Sequence, residues 1–178
     1  MPTHSEIRQS PYTPKQLFDL VADIEHYPEF LPWCRAARIN ERHADYFIGE
    51  LIISFSHLTE RYTSKVMLVP PNSTSSSGLS RGSMTGVDPR DKPADEAKRE
   101  GNGEGTIEVA LVNGPFHHLY NHWRFVPKAD GGTEIHFAVE FQFKSKLLDT
   151  LIGGLFGRAV EKMGAAFMTR ADALYGNK

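Results

Sequence analysis

The chain has 178 residues and a formal net charge of −2. Such a length predicts one domain, 1–178, with a buried core, and the near-neutral charge does not favour a nucleic-acid-binding protein. Cys34 is the single cysteine, which excludes an intrachain disulfide and favours a reducing compartment. No secretory signal is visible, and no apolar run reaches the roughly 20 residues of a membrane-spanning helix, so a cytoplasmic protein is expected.

The N-terminal region predicts a short strand followed by a helix. The strand spans about His4 to Gln9. Thr13-Pro14-Lys15-Gln16 then has the pattern of a capping box, with proline at the first helical position, and predicts a helix that runs to about Asp23. The two prolines of segment 26–32 permit only a short helical turn.

Six further segments show the alternation of apolar side chains that is typical of strands. Their ranges are Trp33–Ile39, Tyr46–Phe55, Leu58–Val69, Thr106–Val112, Leu119–Val126 and Thr133–Phe143. Short turns join them except at 70–105, a segment rich in serine, threonine and charged residues that is predicted to be a flexible insertion. Strands joined by short turns predict an antiparallel meander with one apolar face.

The last thirty residues, 144–175, predict a long helix, because their apolar side chains recur at intervals of three and four. Such a helix would be roughly 45 Å long. It contains four glycines, Gly153, Gly154, Gly157 and Gly164. Each costs about 1 kcal/mol relative to alanine in an exposed helix interior, which suggests a use in close packing, in leaving room for a ligand or in bending.

A curved sheet that packs around this helix would leave a concave apolar space. Aromatic side chains of the inner sheet face would line it: Phe47, Phe55, Trp123, Phe125, Phe137 and Phe141. The strand parity also points Glu60, Tyr62 and Ser64 inward. Tyr62 and Ser64 are candidate hydrogen-bonding groups for a ligand carbonyl or hydroxyl. Glu60 is instead expected to pair with an arginine, such as Arg35 or Arg61, near solvent.

Metal binding and nucleophilic catalysis receive little support from the sequence. His118 and His122 would lie on one strand face about 13 Å apart, at roughly 3.3 Å per residue, which is too far to bind one metal ion together. Cys34 lacks a catalytic signature and is interpreted as a buried structural thiol. The glycines of 153–157 lie inside a predicted helix, so they do not form a phosphate-binding loop.

Three stretches resemble one known family. They are LFDLVADIEHYPEFLPWC (17–34), GPFHHLYNHWRF (114–125) and FQFKSKLLDTLIGGLFGRAVEKMGAAFMTRADALYG (141–176). They resemble the coenzyme-Q-binding START-like family of the polyketide cyclase (SRPBCC) superfamily, which includes bacterial ribosome-association toxins. The resemblance covers almost everything outside 70–105. It implies an α+β helix-grip fold, with a curved seven-stranded antiparallel sheet wrapped around a long C-terminal helix and a hydrophobic cavity between them.

The resemblance also implies a function. The protein would bind ubiquinone or a similar isoprenoid lipid without catalysis or a catalytic cofactor, support respiratory electron transport, and contact the inner membrane transiently. The cavity-lining residues expected from parity and resemblance together are Trp33, Phe47, Leu51, Phe55, Tyr62, Ser64, Trp123, Phe125, Phe137, Phe141, Leu148, Phe156 and Val160. A gate for ligand entry is expected at Phe30, Leu31, Gly153 and Gly157.

Two alternative functions stay open. The toxin members of the family imply association with the large ribosomal subunit and a block of subunit joining. The basic residues of the terminal helix are interleaved with acidic ones, however, whereas RNA binding favours a basic stripe. A cyclase-like enzyme would need an acid/base pair in the cavity, for which Glu60 is the candidate.

Overall fold

A computed structural model of the protein describes residues 3–55, 58–71 and 103–176. The strands in these ranges are β1 (Thr3–Ser10), β2 (Cys34–Arg42), β3 (Tyr46–Phe55), β4 (Leu58–Val69), β5 (Gly105–Asn113), β6 (Phe116–Pro127) and β7 (Thr133–Phe143). The helices are α1 (Pro14–Ala22), a 3-10 helix (Ile24–Glu29), α2 (Lys146–Gly153) and α3 (Phe156–Tyr175).

The seven strands form one antiparallel sheet in the order β1-β7-β6-β5-β4-β3-β2. Strands β2 to β7 are neighbours in both sequence and space, so the predicted meander is confirmed, and β1 joins its far edge beside β7. Alternating side chains of the sheet are buried against the C-terminal helices, which specifies the register because a shift of one residue would expose the apolar set. The predicted helix-grip fold is thereby confirmed.

Helix α1 begins as the sequence predicts. Thr13 Oγ1 accepts a hydrogen bond from the Gln16 backbone N–H at 3.2 Å, and Gln16 Oε1 accepts one from the Thr13 N–H at 3.0 Å. The helix buries Leu17, Phe18 and Val21 against the end of the sheet where β5 and β6 lie. It therefore closes one end of the concave sheet face.

The C-terminal segment is two helices, so the prediction of one continuous helix was wrong. Helix α2 ends at Gly153 and α3 begins at Phe156. Between them, the Leu155 N–H donates to the Ile152 carbonyl at 2.9 Å, which is a tight three-residue turn. Consecutive glycines at 153 and 154 weaken the helix at this point, and the interruption follows from their low helix propensity.

Buried apolar side chains form two clusters under the helices. The larger cluster lies beneath α1 and α3, and Phe167 of α3 inserts its ring there. That ring lies 5.4 Å from the ring centroid of Tyr27, 5.3 Å from that of Phe30 and 5.4 Å from that of Trp123. The smaller cluster lies beneath α2 and consists of Phe116, Leu119, Phe141, Phe143, Leu148 and Ile152.

Most of the predicted insertion, 70–105, lies outside the described part of the structure, which leaves out 72–102. Its flexibility therefore stays a prediction. At its described ends, Pro71 is buried and packs so closely on Gly105 that a Cβ atom there would lie 2.7 Å from the proline ring. Across the described ranges, no helix combines the length and the apolarity that a membrane crossing requires.

Candidate ligand-binding cavity

A cavity of about 180 Å³ lies between the inner face of the sheet and the C-terminal helices. Strands β3 to β7 form its floor, Tyr27 and Leu31 close one side, and Ile152, Val160 and Met163 face it from α2 and α3. A cavity of about 150 Å³ lined by apolar side chains can hold benzene, whereas pockets for larger ligands usually occupy about 300–1,000 Å³. The space therefore fits one six-membered ring with small substituents.

Most of the residues predicted to line the cavity lie in its wall. They are Trp33, Leu51, Tyr62, Ser64, Trp123, Phe137, Phe141 and Val160, and the predicted gate residue Leu31 joins them. The strand residues among them are brought together because inward-facing positions on neighbouring strands fall into register. Trp123, for example, pairs with Ile107 on one side and Phe137 on the other. Their contact with a ligand stays a prediction.

Three predicted lining residues do not reach the cavity. Phe125 is fully buried with its ring edge-on to Phe18 of α1, at a centroid distance of 6.2 Å, so that helix separates it from the space. Phe47 packs in the core beside Ile24. Leu148 packs in the cluster beneath α2, and Ile152, one turn later, takes the position on the cavity. The side chains of Phe55 and Phe156 fall outside the described part of the structure.

The predicted gate residues differ in their surroundings. Leu31 is completely buried, so it has no contact with solvent or lipid in this conformation. Phe30 is half-buried, and the Arg170 guanidinium carbon lies 5.4 Å from its ring centroid. Gly153 and Gly157 are exposed, and apart from their chain neighbours and nearby helix backbone no described atom lies within 4 Å of a Cβ built on either. These two glycines therefore do not serve close packing.

Gly164 has the packing role that the sequence left open for the helix glycines. A Cβ atom at this position would lie 2.6 Å from an Arg8 guanidinium nitrogen. The same guanidinium is held by Glu6, with Arg8 Nε donating to the carboxylate at 2.9 Å. Gly164 thus lets the edge strand β1 pack on α3 through the partly buried Arg8 side chain.

The hydroxyl-bearing side chains of Tyr62 and Ser64 lie in the mostly apolar cavity wall, as predicted. The Tyr62 ring packs edge-on to Phe116 with centroids 5.5 Å apart. Burial, and secondarily the nearby Cys34, raises the pKa of Tyr62 well above its usual range, so its hydroxyl stays neutral and can donate a hydrogen bond. Glu60 does not line the cavity, and Arg61 lies 3.8 Å from Glu50 rather than pairing with Glu60 as expected.

Asn121 is a polar residue of the cavity floor that was not among the predicted lining residues. It faces inward on β6 between Leu119 and Trp123, and its cross-strand neighbours are Val109 and Val139. Its Oδ1 atom is buried and has no hydrogen-bond partner among the described residues. The signal was present in the sequence, because the alternation that turns Leu119 and Trp123 inward also turns Asn121 inward.

The remaining buried ionisable groups near the cavity are structural. The Tyr27 hydroxyl donates to the Val21 carbonyl, and burial raises the Tyr27 pKa well above its ordinary value. Burial raises the pKa of the Cys34 thiol to about 11. Its Sγ lies 3.6 Å from the Ala36 carbonyl oxygen, to which it donates. The interpretation of Cys34 as a buried thiol agrees with this geometry.

Three histidines of β6 and β7, His118, His122 and His136, lie on the opposite, outer face of the sheet beside glutamates. His118 lies 2.7 Å from Glu140, and His136 lies 2.7 Å from Glu134. His122 lies 3.9 Å from Glu108. Within the described ranges, no three His, Cys, Asp or Glu side chains are grouped in a way that would hold a metal ion.

A curved antiparallel sheet, a C-terminal helical segment and an apolar cavity between them define a START-like, helix-grip domain. The chain belongs to the family described as "Polyketide cyclase / dehydrase and lipid transport", which matches residues 10–168. The resemblance found in three stretches of the sequence is thus confirmed at the level of the family.

Individual relatives carry two kinds of name. The chain is 39% identical over 161 residues, 90% of each protein, to the ribosome association toxin RatA of Rickettsia prowazekii. It is 25% identical to the mitochondrial coenzyme Q-binding protein COQ10 homolog B of Xenopus laevis, over 98% of this chain and 60% of that protein. The solution structure of an 18 kDa protein from Caulobacter crescentus is 33% identical, covers 99% of both chains and has a TM-score of 0.65.

Proposed function

We propose that the protein binds an isoprenoid quinone, such as ubiquinone, and holds its ring in the cavity without transforming it. The observation that carries the proposal is an apolar space of about 180 Å³ whose wall includes a neutral tyrosine hydroxyl and a buried amide. Transfer of apolar surface from water into such a space gains about 25 cal/mol per Å². The relative named as a coenzyme Q-binding protein supports this choice of ligand.

The cavity wall argues for binding rather than catalysis. General acid–base catalysis needs a side chain whose pKa lies near the working pH. The ionisable side chains among the described lining residues are Tyr27 and Tyr62, and burial raises both pKa values. The family description also names cyclases and dehydrases, and a cyclase-type mechanism through Glu60 is disfavoured because Glu60 lies outside the wall.

The isoprenoid tail would leave the cavity near α2, because the space holds a ring only. Leu147, Leu151 and Leu155 succeed one another at intervals of four residues and are 68%, 49% and 48% exposed. Four basic and two acidic side chains lie in 144–162, a net charge of +2, whereas the whole chain has −2. Exposed leucines beside cations favour transient contact with an anionic bilayer, where the quinone would be exchanged in support of respiration.

Native mass spectrometry of the protein purified from its own host tests the ligand proposal. We expect a mass increment equal to one quinone and quinone absorbance in an organic extract. Val139→Phe would fill the cavity, whereas Val112→Phe makes the same change on a side chain that is 57% exposed. The first variant should lose the quinone and the second should keep it. Wild-type protein without quinone, or Val139→Phe with it, contradicts the proposal.

Vesicle sedimentation tests the membrane contact separately. The protein should sediment with vesicles of anionic phospholipid and not with zwitterionic ones. Leu151→Gln should weaken this binding, whereas Leu174→Gln, at an exposed position near the end of α3, should not. Equal binding by both variants would show that the leucine face of α2 is not the contact.

A second candidate function is association with the large ribosomal subunit and a block of subunit joining. It is favoured by the 39% identity to a protein named as a ribosome association toxin. Sedimentation of the protein with purified large subunits tests it, and binding through RNA phosphates should weaken steeply between about 50 and 200 mM salt. The Val139→Phe variant distinguishes the two functions, because ribosome binding through an outer surface should survive when the cavity is filled.

A further inference from the structure

Asn121 occupies an unusual position for an amide. It lies in the middle of the inner sheet face, with Val109 and Val139 across from it and Leu119 and Trp123 on its own strand. All four neighbours are apolar, and all line the cavity. The amide therefore lies within an apolar surface of the sheet and faces the cavity above it.

The fold does not require an amide at this place. A buried carbonyl without a hydrogen-bond partner costs about 1–3 kcal/mol, and the Asn121 Oδ1 has no partner among the described residues. Leucine has the same branched shape and the same number of side-chain heavy atoms, is somewhat larger, and would match the neighbouring side chains without that cost. A residue that lowers stability in the floor of a cavity is typical of a functional position.

We propose that Asn121 is the hydrogen-bonding subsite for an oxygen of the bound ring. An amide both donates through N–H and accepts through C=O. It can therefore donate to a ring carbonyl and accept from a ring hydroxyl, so the subsite takes the oxidised and the reduced forms of an oxygen-substituted ring. A hydrocarbon chain alone leaves the amide unpaired. The identity of the ring rests on the proposed function.

The test compares Asn121→Leu with wild-type protein in stability and in binding. Trp33 and Trp123 both line the cavity, so quenching of tryptophan fluorescence reports binding of a quinone, and isothermal calorimetry reports binding of probes that do not quench. The probes are ubiquinone-1, its reduced form, and toluene, a ring without oxygen. Loss of one hydrogen bond in a dry site should weaken binding of both quinone forms about tenfold or more, while toluene binds at least as well as before.

The same variant, Asn121→Leu, should bind quinone more weakly but be more stable than wild-type protein. Asn121→Leu should raise the midpoint of thermal unfolding, because it removes an unpaired buried carbonyl. Asn40→Leu, at an exposed position of β2, is the matched control and should change neither property. Asn121→Val repeats the test with a β-branched side chain that suits a strand.

Each outcome separates the inference from the proposed function. If Asn121→Leu binds ubiquinone-1 as tightly as wild-type protein does, the subsite is overturned and the proposed function stays intact. A lower unfolding midpoint for both Asn121→Leu and Asn121→Val shows a structural role and also overturns it. No binding of either quinone form by wild-type protein overturns the proposed function, and the subsite with it.

Discussion

The two ends of the C-terminal helical segment pack on the molecule in different ways. Near the end of α3, Phe167 and Ala171 are almost completely buried, and the Tyr175 hydroxyl donates to the Gln16 carbonyl at 3.1 Å. At α2 and the break after it, Leu151 and Leu155 are about half exposed and Gly157 has open space around it. The α3 end is anchored to both α1 and the sheet, whereas α2 is held on the sheet mainly by Leu148 and Ile152.

This difference identifies the wall of the cavity whose opening requires the least free energy. Local opening costs least where few apolar contacts and few tertiary hydrogen bonds must be broken. On α2, Leu148 and Ile152 are the buried side chains, and Ile152 itself faces the cavity. We therefore expect a ligand to enter beneath α2 and the helix break, while α3 stays in place.

The largest expected effect comes from the anchored end. Phe167→Ala removes a ring that packs on Tyr27, Phe30 and Trp123, and should lower the free energy of unfolding by about 3–5 kcal/mol. Leu151→Ala, on the exposed face of α2, should change it by no more than about 0.5 kcal/mol. Chemical denaturation of both variants measures the difference. Similar losses in the two would show that α2 is as firmly anchored as α3.

Cys34 gives an independent measure of opening on the other side of the cavity. Its backbone N–H donates to the Leu31 carbonyl at 3.0 Å, so Cys34 lies beside the predicted gate residue Leu31 and directly after Trp33 of the cavity wall. Burial raises its pKa from 9.0 to about 11. At pH 8 the thiolate fraction is then about 100-fold lower than in an unfolded chain, and alkylation of the native protein should be slower by at least that factor.

The pH dependence of the same group has a definite sign. A pKa that is raised on folding means that the buried neutral thiol contributes to stability below about pH 9, and that this contribution is lost as the pH rises to about 11. A Cys34→Ala variant should therefore lose less stability than wild-type protein over that interval. Fast alkylation of wild-type Cys34 at pH 8 would place the opening at Leu31 and Trp33 instead of at α2.

The sequence predicted the sheet well because alternation and burial coincide along its strands. The predicted bounds of Tyr46–Phe55, Leu58–Val69 and Thr133–Phe143 are those observed, and the capping box at Thr13 is present. The helix pattern was less informative. Its apolar spacing continues through 153–155, so periodicity alone did not show that consecutive glycines end α2 and leave room for a second helix.

The cavity was harder to predict than the fold. Parity tells which side chains face inward, but it does not tell which of them another element covers. Trp123 and Phe125 share one face of β6. Trp123 lines the cavity, whereas Phe125 is covered by Phe18 of α1. Asn121 was missed for the converse reason: parity assigns it to the interior, but the inward face was identified from apolar side chains alone.

The smallest expected effect distinguishes the helix glycines from one another. Gly157→Ala adds a methyl group where no described atom lies within 4 Å, so it should raise the free energy of unfolding by about 0.5–1 kcal/mol through helix propensity. At Gly164 the same change displaces the Arg8 guanidinium from Glu6, which offsets that gain. Equal stabilisation by both changes would show that the contact with Arg8 contributes nothing.

The Gly157 change also tests whether the weakly anchored end is the entrance. A stiffer start of α3 should slow both the entry and the release of ubiquinone-1, and stopped-flow quenching of tryptophan fluorescence measures both rates. The dissociation constant should stay nearly the same, because Gly157 is not part of the cavity wall. Unchanged rates in a stabilised Gly157→Ala protein would mean that the helix break is not the route, and the segment at Leu31 would then be the wall that opens.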